Sequence, residues 1–163
     1  AKRMRSHILL LACVIAIFPG CAEKEGAKLS DSLPSNMTAE EQSLISDVRT
    51  AFQENRPELI NDRIFEGMDS RSRKYIENNI RDTVEKGYTS LVFNRVDPPL
   101  RGGSLSNGSE YVWYVPVEWE LIVKHPQKVP NVNEQTGFQF GIAEGRLVVS
   151  SKIQKSLLEG RSK

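Results

Sequence analysis

Between Tyr111 and Val123 every odd-numbered position is apolar: Tyr111, Trp113, Val115, Val117, Trp119, Leu121 and Val123. The even positions between and after them include Pro116, Glu118, Glu120 and Lys124. In an extended chain successive side chains point to opposite faces, so this stretch, to His125, reads as one unusually long, half-buried strand. Pro116 cannot donate to a ladder and suggests an edge or a bulge. An apolar face of this length needs a cover, and the rest of the chain must supply it.

The downstream sequence supplies a hairpin. Phe138, Phe140 and Ile142 alternate, Glu144-Gly145 makes a two-residue turn, and Leu147, Val149, Ser151 and Ile153 alternate back. Upstream, Tyr88 to Val96 reads as a strand closed by Asp97-Pro98-Pro99. Arg101 to Ser109, rich in Gly, Ser and Asn, reads as a flexible loop. Before Gly87 the apolar period is near 3.6. Thr38-Ala39-Glu40-Glu41 is a capping box, and Leu44, Ile45, Val48, Ala51 and Phe52 follow at helical spacing. Pro57 suits the first turn of a short second helix carrying Leu59, Ile60, Ile64 and Phe65 and ending at Gly67. Asp69 or Ser70 caps a third, with Tyr75, Ile76, Ile80 and Val84 as its face and Gly87 as its stop. Three helices followed by an antiparallel meander of about four strands define an α+β fold, with the helices on one sheet face. This domain spans residues 38–154, and 155–163 form a polar tail.

Composition narrows the function classes. The chain has 163 residues, 22 basic and 21 acidic, and a formal charge of +1. Nucleic-acid binding normally needs a basic excess or stripe, so no nucleic-acid partner is expected. Two cysteines, Cys13 and Cys21, and two histidines, His7 and His125, are too few for a disulfide scaffold or a Cys/His zinc cluster. No metal and no cofactor is expected.

Lys2, Arg3 and Arg5 form a basic head, and Ile8 to Phe18 is an apolar run of eleven residues. As a helix it spans roughly 16 Å, about half of a hydrocarbon core, which suits a secretory signal better than a membrane span. Pro19-Gly20-Cys21 follows, and the chain then turns polar. This segment resembles the leader of bacterial lipoproteins, in which a small residue precedes the lipidated cysteine. Gly20-Cys21 fits those two positions, although Phe18 stands where Leu is usual. The alternative, Leu10-Leu11-Ala12-Cys13, matches better letter by letter but leaves Val14 to Phe18 apolar after cleavage, so Cys21 is preferred. The resemblance implies a signal peptide over 1–20 and a palmitate-type acyl anchor on Cys21, with a tether over 21–37. It also implies residence in the bacterial cell envelope. Ala22, not Asp, after the cysteine points to the periplasmic face of the outer membrane if the host is Gram-negative. Removing residues 1–20 takes away three positive charges and no negative ones, so +1 becomes −2.

The order helix, short helix, helix, long aromatic strand and closing hairpin resembles the nuclear transport factor 2-like (cystatin-like) superfamily over roughly residues 38–154. The resemblance implies helices and sheet enclosing a cone-shaped pocket, used by some members as isomerases or dehydratases and by others only for binding or dimerisation. Trp113, Trp119, Phe138 and Phe140 are the candidates to line that pocket; core packing is the simpler role for the two tryptophans. An enzyme would need a pocket acid paired with tyrosine. Asp97 with Tyr88, Tyr111 or Tyr114, and the pair Glu118 and Glu120, are the candidates, set against plainer roles: a turn residue for Asp97, and for the two glutamates a solvent face opposed by cross-strand Arg95, Arg146 or Lys152. His125 reads as a solvated strand-end histidine. Arg71, Arg73, Lys74 and Arg81 read as a solvated helix face. The expected function is non-catalytic binding of an envelope ligand or protein by a membrane-anchored domain. The alternatives are an acid–tyrosine isomerase or dehydratase, and a homodimer joined through the sheet.

Overall fold

The computed structural model describes residues 28–29, 33–126 and 135–160. In chain order it contains β1 (Lys28–Leu29), α1 (Ala39–Glu54), α2 (Glu58–Asn61), α3 (Ser70–Glu85), β2 (Ser90–Ser104), β3 (Glu110–Lys124), β4 (Gln135–Ala143), β5 (Arg146–Ser150), β6 (Lys152–Gln154) and α4 (Lys155–Glu159). The fold is α+β, an open, mostly antiparallel sheet with helices on one face. The leader and both cysteines lie outside the described residues.

The expected long strand is β3, and the sheet is organised around it. Two-residue β1 pairs in parallel with β2, and β2 runs antiparallel along β3. The other edge of β3 is shared. Tyr111 to Trp113 pair with β6, and Trp119 to Lys124 pair with β4. Pro116 falls in the interval where β3 changes partners, where a missing N–H leaves no ladder bond broken. Val115, Val117, Trp119, Leu121 and Val123 are buried, together with Leu91 and Phe93 of β2 and Phe138 and Phe140 of β4. Of these, Trp119, Leu121, Val123, Leu91, Phe93, Phe138 and Phe140 meet Leu44, Val48, Ile60, Ile80 and Val84 from the helices in one core. Burying side chains of this kind contributes roughly 1.5–3 kcal/mol each.

The local signals are realised in α1 and in the turn between β4 and β5. Thr38 N–H donates to Glu41 Oε2 at 2.8 Å and Glu41 N–H donates to Thr38 Oγ1 at 3.2 Å, the reciprocal capping box. Glu144 and Gly145 both have positive φ, as a two-residue turn matched to strand twist requires.

Elsewhere the chain departs from its local signals. β2 does not stop at Asp97-Pro98-Pro99: the register shifts between Arg95 and Leu100, which pairs with Val117, and shifts again before Gly102, which pairs with Val112. The prolines occupy a bulge, where no ladder bond is demanded of them. Gly102 and Gly103 are therefore strand, and a Cβ on Gly102 would sit 2.7 Å from the Tyr111 carbonyl oxygen. The second helix ends at Asn61, not Gly67; Ile64 and Phe65 instead run beside β5, with Val149 N–H donating to the Arg63 carbonyl and Phe65 N–H to that of Val149. The stretch expected as a tether contributes β1, and its Leu33 and Met37 pack on the core. The polar tail opens with α4. Among the described residues the sheet has six strands, two of them short, where about four are expected. The added ones are β1 and the split of the last strand at Ser151, which gives β5 to β4 and β6 to β3.

That split has a chemical basis. The Ser150 hydroxyl accepts from Val115 N–H at 3.1 Å and donates to the Val115 carbonyl at 2.7 Å. Ser150 is 2% exposed, and its hydroxyl stands in for a ladder partner where the chain turns from one strand to the other.

Candidate functional site

α3 does not lie flush on the sheet. Ile80, Thr83 and Val84 reach the core, while Tyr75, on the expected apolar stripe, is 65% exposed. Between α3 and the sheet lies a groove of about 550 Å³. Its helix wall is Tyr75, Ile76, Asn79, Asp82, Thr83 and Lys86. Its floor and far wall include Trp113, the five consecutive residues Gln135–Gln139 and the four consecutive residues Val149–Lys152. Side chains of a strand alternate between faces, so an unbroken run of lining residues means that the edge of the strand faces the groove. The pairing agrees. β5 joins β4 only from Gln139 onward, which leaves Gln135 to Phe138 without a partner on that side among the described residues.

A second hollow of about 550 Å³ adjoins the first. The two share Tyr75, Ser151 and Lys152, and the second continues past Asp69, Arg71 and Ser72 at the α3 N-terminus and past Ser151 and the whole of β6. Leu157, 55% exposed, sits beside it. Together they follow α3 from Asp69 to Lys86, roughly 25 Å at the helical rise.

The structure divides the four aromatic candidates. Trp113 and Phe138 line the groove, while Trp119 and Phe140 are fully buried in the core. The Trp113 ring meets Tyr111 edge-on at 5.9 Å, and its Nε1 is shielded and without a partner among the described residues. Trp119 Nε1 donates to Glu41 Oε1 at 3.1 Å.

The carboxylate candidates do not converge on the groove. Asp97 is exposed at the β2 bulge. Glu118 and Glu120 lie half-buried on the sheet face away from the helices; Glu120 stands between Asn94 and Gln139, not between basic residues. Arg95 turns to Glu41 instead, and Lys152 Nζ sits 5.3 Å above the Tyr111 ring. An acid–tyrosine pair does exist, with a different acid. Tyr114 Oη donates to Asp69 Oδ2 at 2.5 Å. Asp69 also caps α3, accepting from Ser72 N–H and Ser72 Oγ. Tyr88 packs edge-on against Phe52.

His125 is buried, not solvated. Its Nδ1 lies 2.6 Å from the Gly87 carbonyl, which only accepts, so that nitrogen carries a proton. Nε2 lies 2.8 Å from Thr136 Oγ1. The ring thus ties the end of α3 to the first residues of β4, at the far end of the groove. Of the basic residues on α3, Arg73 donates to the Phe65 carbonyl and Arg81 to Asn78, while Arg71 and Lys74 are exposed.

Opposite the groove, α1 is fixed by a charged cluster that carries no sequence motif. Arg63, 2% exposed, donates to Asp47 (2.7 Å), Glu40 (2.6 Å), Ser43 (2.7 Å) and the Leu147 carbonyl (3.0 Å). Glu40 also accepts from Leu147 N–H. Burial alone would raise the Glu40 carboxyl, but the hydrogen bonds from Arg63 and Leu147 and the charges of Arg63 and Arg146 hold it below the ordinary glutamate value. Glu41 is the same case. Burial works against its charge, and N–H donors from Thr38 and Trp119 together with Arg95 lower it on balance. Nothing local marks it: Arg63 follows Asn61 and Asp62 between Ile60 and Ile64, as an ordinary polar step between two apolar residues would.

Chemically, the groove offers backbone donors and acceptors, amide side chains (Asn79, Gln135 and Gln139), an apolar patch at Ile76, Trp113 and Phe138, and three charged side chains, Asp82, Lys86 and Lys152. Among the described residues no three His, Cys, Asp or Glu side chains are grouped to hold a metal ion, and no helix is long and apolar enough to cross a membrane. Comparison of the chain with protein-family models, with curated proteins and with solved structures finds no match.

Proposed function

We propose that the chain is a bacterial envelope lipoprotein, anchored through Cys21, whose nuclear transport factor 2-like domain binds another molecule in the α3 groove without catalysing a reaction on it. The observation that carries the binding reading is the groove itself, concave, of ligand-sized volume and lined by convergent polar groups around an apolar patch. Position favours binding over isomerase or dehydratase chemistry. Asp97, Glu118 and Glu120 lie outside the groove, and Asp69 is engaged as the α3 cap. The outer sheet face gives a homodimer little support, because the neighbouring Val92 and Ile122 are flanked by Asn94, Glu120 and Gln139.

The superfamily assignment draws on the order of α1, α2, α3 and the following antiparallel strands. The anchor draws on the leader sequence alone, and the same sequence favours the periplasmic face of the outer membrane in a Gram-negative host. Two measurements test the parts separately. Fractionation of a Cys21→Ala variant should find the protein released from membranes; tight membrane retention would sink the anchor. Pull-down from crosslinked envelopes should recover a partner with the native chain and lose it with Asn79→Trp, which fills the groove. Equal recovery by both would place binding elsewhere.

A further inference from the structure

We infer that the occupant of the groove is an extended peptide segment of another protein, held by strand addition along the open edges of β4 and β6. This deepens the binding reading above and rests on it. Each strand presents a run of consecutive residues to the groove, Gln135–Gln139 and Lys152–Gln154, so each turns a backbone edge toward it. Among the described residues Gln135 to Phe138 have no partner on the groove side and β6 pairs with β3 alone. An open edge is a template whose natural complement is another extended backbone, with main-chain bonds giving affinity and alternate side chains giving selectivity.

The shape of the site selects among occupants. It is long rather than compact, following α3 for about 25 Å, the length of seven or eight extended residues. A compact small molecule would fill only one of the two hollows. A second copy of this chain fits poorly, because its own β4 edge is recessed in the same way behind α3 and its Val149–Lys152 corner. Two recessed edges cannot reach each other, whereas a single strand can enter. The side chains of such a strand that turn toward the helix meet Ile76 and Tyr75, and those near the middle meet Trp113, so the partner segment is apolar at alternate positions.

The test uses the domain with a displayed library of random heptapeptides, followed by synthetic versions of the enriched sequences. Enriched peptides should bind the native protein and lose at least tenfold in affinity to Asn79→Trp, whose unfolding midpoint should match the native one. The same peptides N-methylated at alternate residues, which removes the hydrogen-bond donors of one edge, should also lose at least tenfold. Amide exchange at Gln135–Phe138 and Lys152–Gln154 should slow at least tenfold when peptide is bound. Equal binding by the N-methylated peptides, or unchanged exchange at both edges, would overturn strand addition while leaving the groove as a binding site. Peptide binding undiminished by Asn79→Trp would overturn the groove reading as well, and a library that enriches nothing would overturn the peptide.

Discussion

α1 and α3 are each sixteen residues long, and each begins at a residue whose side chain accepts a backbone N–H. α1 buries Leu44, Ile45, Val48, Ala51 and Phe52, and is tied to the sheet by Arg63, Glu40 and Glu41. α3 buries Ile80, Thr83 and Val84, and the strand edge beside it, Gln135 to Phe138, has no partner strand among the described residues. The α1 seam has the marks of a structural contact, an interior arginine with four hydrogen bonds and carboxylates held ionised. The α3 side has the marks of a place kept open. Regions that bind tend to be drawn from the less tightly held parts of a fold.

The sharpest way to break this comparison is Arg63→Met. Removing the buried member of the cluster deprives Glu40, Asp47 and the Leu147 carbonyl of their donor, and should cost about 3 kcal/mol in denaturant unfolding. A loss as small as that of a surface change would mean that α1 is no better anchored than α3. Next in size is Ser150→Val, which leaves the Val115 N–H and carbonyl unpaired in a buried corner. About 2 kcal/mol should be lost, read by the thermal midpoint.

Glu41→Gln should cost about 1 kcal/mol at neutral pH, and its pH dependence carries more information than its size. Glu40 and Glu41 have lowered folded-state values, so their stabilisation is complete above the ordinary glutamate value of 4.5 and is lost as pH falls through the lowered values. The gap between native protein and Glu41→Gln should therefore shrink as the solution is acidified below 4.5, in unfolding curves taken across that range. A gap that is independent of pH would assign the effect to packing alone. The smallest expected change is Asn79→Ala on the groove wall, within about 0.5 kcal/mol of the native stability while weakening ligand binding.

What was legible in the sequence was what depends on near neighbours. The alternation of β3 and the Thr38–Glu41 box are local patterns, and so is the Glu144-Gly145 turn; each forms where it reads. The groove is not a local pattern. It exists because β5 leaves β4 at Gln139 to let Ser150 and β6 reach β3, a decision made between residues 35 positions apart. The alternation from Leu147 to Ile153 hides that break, since one continuous strand and two strands meeting at Ser151 share the same period. The Asp97-Pro98-Pro99 stop fails for a related reason. β3 continues past the prolines and offers a partner to Gly102 and Gly103, so the bulge absorbs what would otherwise end the strand. His125 is misread as solvated because nothing near it in sequence indicates that Gly87 and Thr136 will close over both its nitrogens.

The central claim is that binding happens in the α3 groove and not on the outer sheet face. A photo-crosslinking amino acid placed at Asn79 and, separately, at Glu118 tests it most directly in intact envelopes. Asn79 lines the groove, and Glu118 lies on the opposite face of the sheet. The account predicts a discrete crosslinked adduct from position 79 and none from position 118. An adduct from position 118 with none from position 79 would contradict it.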